Sequence, residues 1–224
     1  MSAKSPPPPP PAPRLYLATP PISDPASMVE LLPSLLATAD VAAVLLRLAP
    51  ADPRTLTQRA KAIAPLVQTA NAALLLDGQP EIAARAGADG AHLHGIEGLA
   101  DALSSLKPER IVGVGSLATR HDAMVAGEAG ADYVLFGEPD ASGHRPAPAA
   151  IAERLDWWAE LFEPPCVGYA ETLEEVGLFA RAGADFIMAG DLVFADPGKA
   201  AAMLMDVART IGSNPRGADT AGRD

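Results

Sequence analysis

Short apolar runs alternate along this chain with longer stretches in which Ala, Leu, Glu and Arg recur at helical spacing. That alternation is the pattern of parallel strands joined by crossover helices. Strands are predicted over Leu15–Thr19, Ala42–Arg47, Ala73–Asp77, Gly90–Leu93, Ile111–Gly115, Tyr133–Gly137, Cys166–Tyr169 and Phe186–Ala189. Helices are predicted for every gap, including Met28–Thr38, Arg54–Thr69, Ile151–Phe162 and Leu173–Ala182, with a last helix over Gly198–Thr210.

One phrase recurs at the same joint of this pattern: Gly87-Ala88-Asp89, Gly130-Ala131-Asp132 and Gly183-Ala184-Asp185, each behind an Ala-rich helical stretch and ahead of an apolar strand. Gly suits the left-handed turn that ends a helix, Ala packs beneath it, and Asp suits the turn into the next strand. Each interval between copies holds a further strand and helix, so the repeat marks pairs of βα units. Eight βα units without a linker or composition break favour an α/β fold of the closed (β/α)8 TIM-barrel type over an open doubly wound sheet. In such a barrel the chemistry sits where strands end. The rule selects Arg47, Asp77, His92, His94, Gly115, Ser116, Glu138, Tyr169, Gly190 and Asp191.

The ends of the chain read differently. Residues 1–13 are proline-rich and predicted to be a disordered tail, since consecutive prolines donate no backbone hydrogen bonds. Residues 212–224, rich in Gly, Asp, Arg and Asn, are expected to fray, leaving 14–211 as a single barrel domain.

Charge narrows the partners. With 28 acidic against 17 basic residues the formal charge is −11, which argues against nucleic acid but not against a small phosphorylated ligand held by local N–H groups and cations. Apolar runs are too short for a membrane span, no secretory signal is recognisable at the start, and a cytoplasmic location is the expectation. The single cysteine, Cys166, excludes an internal disulfide and a cysteine-based zinc site, and reads as a small core residue.

Several strand-end residues carry two readings. His92 and His94 share one face of their strand, where with Glu97 they could ligate a metal or serve as hydrogen-bonded barrel-lining groups. Arg47 is either a phosphate ligand or the ion-pair partner of Asp77. Gly113, Gly115 and Gly137 either admit phosphate to the backbone or relieve crowding in the barrel. Of Trp157 and Trp158, one indole is expected to pack on the barrel and the other to face solvent or a second copy of the chain, so a homo-oligomer is open.

The order of these pieces resembles the thiamine phosphate synthase family. The resemblance rests on Leu15-Tyr16-Leu17-Ala18-Thr19, on Pro80-Glu81-Ile82-Ala83 leading through Gly87-Ala88-Asp89-Gly90 to Ala91-His92-Leu93, and on Val112-Gly113-Val114-Gly115-Ser116 followed by Gly130-Ala131-Asp132-Tyr133. It implies a (β/α)8 barrel that condenses hydroxymethylpyrimidine diphosphate with thiazole phosphate, forming thiamine phosphate and pyrophosphate with Mg²⁺ assistance. It further implies catalytic roles for Arg47, Ser116 and Arg145, metal binding by Asp77 and Glu97, and substrate contacts at His94, Gly115, Gly137, Gly168 and Gly190.

The chain also departs from the family's pattern. Ala49 stands where a diphosphate-binding Lys is expected, Asp77-Gly78 replaces Asn-Asp, and Glu171 and Asp191 stand beside the turns expected to hold the thiazole phosphate. A catalytically impaired barrel that binds a ligand or partner is therefore the competing reading. The family's thiazole tautomerase branch is a third, weakened because His121 falls within a predicted helix instead of after the fifth strand.

Overall fold

Alternation within each apolar run decides the architecture, because successive strand side chains point to opposite faces. In β1 (Arg14–Ala18), Leu15 and Leu17 join the layer under the helices, while Tyr16 and Ala18 fill the barrel interior. The same division repeats in β2 (Val41–Leu46), β3 (Ala73–Asp77), β4 (Gly90–His94), β5 (Ile111–Gly115), β6 (Tyr133–Phe136), β7 (Cys166–Ala170) and β8 (Phe186–Ala189). In the computed structural model, which describes residues 11–140 and 142–216, these strands are all parallel and pair in chain order, with β8 closing on β1. The closed (β/α)8 barrel is thus the fold, and each predicted strand boundary lies within one residue of the observed one.

The outer layer comprises α1 (Ala26–Thr38), α2 (Pro53–Thr69), α3 (Pro80–Ala86), α4 (Leu99–Leu106), α5 (Arg120–Ala129), α6 (Pro148–Leu161), α7 (Leu173–Arg181), a short α8 (Asp191–Phe194) and α9 (Ala200–Ser213). The single last helix expected over Gly198–Thr210 is therefore corrected. The chain first makes α8, which buries Val193 and Phe194, and then a 3₁₀ turn at Pro197–Lys199, before α9 begins. Asp196 accepts a hydrogen bond from the Gly198 N–H (3.0 Å), and Pro197 follows it at the start of that turn, which sets a new helix start there.

The Gly-Ala-Asp phrase does more than turn the chain. Gly87, Gly130 and Gly183 are left-handed, with φ of 73°, 100° and 89°, and Ala88, Ala131 and Ala184 are buried beneath them. Each Asp also grips the strand that precedes its own in the barrel. The Asp89, Asp132 and Asp185 carboxylates accept from the backbone N–H groups of Leu74 (2.8 Å), Val112 (2.7 Å) and Cys166 (2.8 Å). Their own N–H groups donate to the carbonyls of those three residues at 2.8, 2.8 and 2.9 Å. These two-point clamps fix strand register at the end of the barrel opposite the mouth.

Most of the expected tails, residues 1–10 and 217–224, lies outside the described residues. The boundaries at 13 and 212 are corrected where they can be seen: Pro13 is buried, and α9 continues to Ser213. Beyond it, Asn214 Nδ2 donates to the Thr210 carbonyl (2.8 Å) and Arg216 to the Ala159 carbonyl (3.0 Å), so the ordered barrel extends to Arg216. Among the described residues no helix is long and apolar enough to cross a membrane.

Of the two tryptophans, Trp158 is the core anchor. It is fully buried, stacks on Phe162 with ring centroids 4.2 Å apart and donates its indole N–H to the Pro164 carbonyl (2.7 Å). Trp157 is half-buried, and the Arg120 guanidinium lies 4.9 Å from its ring centroid. Trp158→Ala should therefore lower stability by about 3–5 kcal/mol. Leu161→Ala, at a side chain 65% exposed, should change it by no more than about 0.5 kcal/mol. Urea unfolding of the two variants checks both values.

Candidate active site

At the C-terminal mouth of the barrel, residues from six successive strand ends form one bonded chain. Thr19, past β1, is fully buried, and its hydroxyl accepts from the Arg47 N–H (3.1 Å), which seats Arg47 directly after β2. Arg47 Nε lies 3.7 Å from Asp77 Oδ2 at the end of β3. Asp77 Oδ1 accepts from His94 Nε2 (2.7 Å) at the end of β4, and His94 Nδ1 meets Ser116 Oγ (3.1 Å) just past β5. The Ser116 N–H then donates to Glu138 Oε2 (3.1 Å), two residues past β6.

Beneath this chain lies a buried second tier. His92 is fully buried, with Nε2 3.4 Å from Glu138 Oε2 and Nδ1 2.9 Å from the Tyr133 hydroxyl. Tyr133 shares a 2.9 Å hydrogen bond with Tyr16 across the barrel interior. Glycine makes the tier possible. A Cβ on Gly115 would lie 2.0 Å from Glu138 Oε2, and one on Gly113 would lie 1.9 Å from the Tyr133 ring. Ser116 itself is left-handed, with φ of 51°, an unusual conformation for a non-glycine residue.

The charges support one another. Burial works against the Asp77 carboxylate, but the hydrogen bond from His94 and the positive charges of His94, His92 and Arg47 outweigh it and hold its pKa below the ordinary value. Burial likewise opposes the Glu138 charge, and the charge and hydrogen bond of His92, aided by His94, lower its pKa. The hydrogen bond to Asp77 raises the pKa of His94 despite partial burial, with the Asp77 and Glu138 charges adding to it. Beside Ser116 and Glu138 opens a cavity of about 280 Å³, also lined by Leu117, Gly137, Asp140 and His144.

Asp77, His94 and Ser116 have the connectivity of a hydrolase relay. The surroundings do not suit acyl transfer. Glu138 Oε2 takes the Ser116 N–H and sits 3.5 Å from its Oγ, so an oxyanion forming there would meet a carboxylate instead of donors.

Of the residues singled out from sequence, Arg47, Asp77, His94, Gly115 and Ser116 meet in this network. Arg47 lies within ion-pair distance of Asp77 while its guanidinium stays at the mouth, so both of its readings remain compatible with the geometry. Gly190 lies at the same mouth, where a Cβ would approach the Tyr169 hydroxyl (3.3 Å) and Ala18. Gly137 is a left-handed turn (φ 98°) packed against Ile151 and also borders the cavity. Gly168 is corrected: a Cβ there would meet Phe179 and Leu155 at 3.0–3.1 Å, so it faces the helix layer, out of phase with inward-facing Val167 and Tyr169. Glu138, His92 and Tyr133 complete the site. The strand-end rule had selected Glu138 and His92, but only the fold shows Glu138 turning inward.

A (β/α)8 barrel with its ionisable side chains gathered at the C-terminal mouth defines an enzyme-type barrel site. The thiamine monophosphate synthase family model matches residues 15–193, and the chain belongs to that family. It is 40% identical over 202 residues to a thiamine-phosphate synthase of Rhodospirillum centenum, covering 88% of this chain and 97% of that protein. It is 35% identical over 183 residues to one of Hyphomonas neptunium, covering 78% and 82% of the two chains. Among solved structures, thiamine phosphate pyrophosphorylase of Pyrococcus furiosus superposes with a TM-score of 0.75 at 20% identity, covering 89% of this chain and 96% of that one.

The Mg²⁺ implied by the resemblance needs oxygen ligands. Both Asp77 oxygens already face His94 and Arg47. Glu97 is exposed in the loop after β4 and makes no hydrogen bond or ion pair among the described residues. To hold the ion Asp77 would share its oxygens with His94 and Arg47, whereas Glu97 has no competing partner among the described residues.

The clamping role expected for Arg145 is also corrected. Its guanidinium donates to the carbonyls of Gly137 and Tyr169 (both 2.9 Å) and pairs with Glu171 and Glu175 (both 2.9 Å), with the side chain only 11% exposed. Arg145 is a staple between the loops after β6 and β7. Arg145→Ala should lower stability by about 3–5 kcal/mol by stranding buried Glu175 without its cation, read as a lower urea midpoint. An unchanged midpoint would return Arg145 to ligand binding.

Proposed function

We propose that this barrel joins hydroxymethylpyrimidine diphosphate to thiazole phosphate, releasing pyrophosphate and forming thiamine phosphate. The observation that carries this reading is the single bonded chain Arg47–Asp77–His94–Ser116 at the mouth of a family barrel. In the reaction the bond between the pyrimidine methylene and the diphosphate oxygen breaks, and its electron pair leaves with pyrophosphate. The thiazole nitrogen lone pair then forms the new bond to that methylene, leaving a thiazolium. Positioning and charge neutralisation supply most of the catalysis in such a step.

Arg47 is the permanent cation for the leaving diphosphate, and Asp77 holds it in place. His94 and Ser116 add hydrogen-bonding groups on the same side. Gly190 leaves the β8 end free of a side chain, giving room for the thiazole phosphate beside Tyr169. Glu171 does not repel that phosphate as a free anion would, because it is paired with Arg145.

Purified protein supplied with both substrates and a divalent cation should release thiamine phosphate and pyrophosphate in equal amounts. Arg47→Ala should reduce the rate by about 100-fold or more, the scale of removing one group that stabilises charge in a transition state. Absence of product at enzyme concentrations comparable to substrate would overturn the reading in favour of a barrel that binds without this chemistry.

A further inference from the structure

The ligand atoms of His92, His94 and Glu138 all lie within 4.8 Å of one another at the mouth. We propose that these three residues bind a divalent transition metal, of the Zn²⁺, Fe²⁺ or Co²⁺ type, with Asp77 and Tyr133 as outer partners that orient the two imidazoles.

The donor set is two imidazoles and a carboxylate. Imidazole nitrogen suits zinc, iron, cobalt, nickel and copper and does not suit Mg²⁺ or Ca²⁺, which take oxygen. Neither expected Mg²⁺ ligand belongs to this set: Asp77 stands behind a ligand, and Glu97 lies apart from it.

Each imidazole carries a second bond on its other ring nitrogen. His94 Nε2 donates to Asp77 (2.7 Å), and Nδ1, which meets the Ser116 hydroxyl at 3.1 Å, would exchange that hydroxyl for the ion. His92 Nδ1 lies 2.9 Å from the Tyr133 hydroxyl, which bonds in turn to Tyr16, leaving Nε2 for the ion. Glu138 is steered by the Ser116 N–H (3.1 Å). A metal-binding histidine whose other nitrogen bonds a carboxylate or hydroxyl is the usual supporting arrangement, since it fixes the tautomer and the ring plane.

Spacing agrees with this assignment. A tetrahedral ion about 2.0–2.1 Å from each donor sets neighbouring donors about 3.3 Å apart. His92 Nε2 and Glu138 Oε2 already stand 3.4 Å apart, at the long end of the hydrogen-bond range. The His94 side chain is 47% exposed and has room to close on the ion. The 280 Å³ cavity beside Glu138 offers space for a fourth ligand.

The inference does not depend on which reaction the mouth performs, and its test reads binding alone. Untagged full-length chain, stripped with a chelator, is titrated with Co²⁺ while the visible absorption of the ion is followed. One equivalent should bind with a tetrahedral-type spectrum, Zn²⁺ should displace it, and millimolar Mg²⁺ should not. His94→Ala should abolish the spectrum while the chain still unfolds in one cooperative transition with native far-UV circular dichroism, and Glu138→Gln should do the same to the spectrum. Asp77→Asn should weaken binding about 10–100-fold, and Glu97→Gln should have no effect. The proposal is overturned by absence of the spectrum, by binding that survives His94→Ala, or by displacement with Mg²⁺.

Discussion

Glu138 is a carboxylate inside the mouth of a barrel, its side chain only 3% exposed, and much of the site follows from keeping it there. A buried charge persists only when it is paired and hydrogen-bonded. Here the partners are the His92 ring and the Ser116 N–H. That N–H points inward because Ser116 takes a left-handed conformation, which costs about 1–3 kcal/mol and persists only where its surroundings hold it. Gly115 must lack a Cβ because the carboxylate occupies that space. His92 needs a partner for its other nitrogen, which Tyr133 supplies, and Gly113 makes room for that ring. The run Val112-Gly113-Val114-Gly115-Ser116 is thus a negative image of Tyr133 and Glu138: two valines packed outward against helices, two glycines emptied inward.

The opposite end of the barrel is held by a different device. The Asp89, Asp132 and Asp185 clamps spend both the carboxylate and the backbone N–H of one residue on one residue of the preceding strand. A parallel barrel has no hairpins to set register, so side-chain clamps at the closed end leave the mouth free to carry functional groups. Stability and chemistry are divided between the two ends of the strands, as in barrels generally.

This division explains what the sequence made legible. Strand existence and order follow from alternation and from the Gly-Ala-Asp punctuation, both local signals. The strand-end rule is topological and needs no loop conformation, so it found Arg47, Asp77, His94 and Ser116 together. Residues assigned through aligned loops are less legible. Glu97 and Arg145 lie in segments without periodicity, where nothing local says which way a side chain turns. Gly168 was legible in principle, since inward-facing Val167 and Tyr169 put it on the helix side. The short α8 has too few residues to display helical spacing. The clamp role of the Asp residues involves partners a whole unit away, which no local pattern encodes.

The fate of Arg145 bears on how the mouth handles a polyanion. In a chain of net charge −11, a cation that could have faced a diphosphate is committed to Glu171 and Glu175, and Ala49 offers no replacement. Arg47 remains at the mouth, already paired with Asp77, and Glu138 lies further in. Two like charges about 4 Å apart at an effective dielectric of about 20 repel by about 4 kcal/mol. A diphosphate entering beside Asp77 and Glu138 therefore requires more positive charge than Arg47 supplies. The two histidines in contact with those carboxylates can contribute it by holding a cation between them, and Arg154 and His144 line the cavity beside Glu138. On the proposed metal site, the acids and imidazoles at the mouth supply part of that charge through what they bind instead of through a solvated side chain.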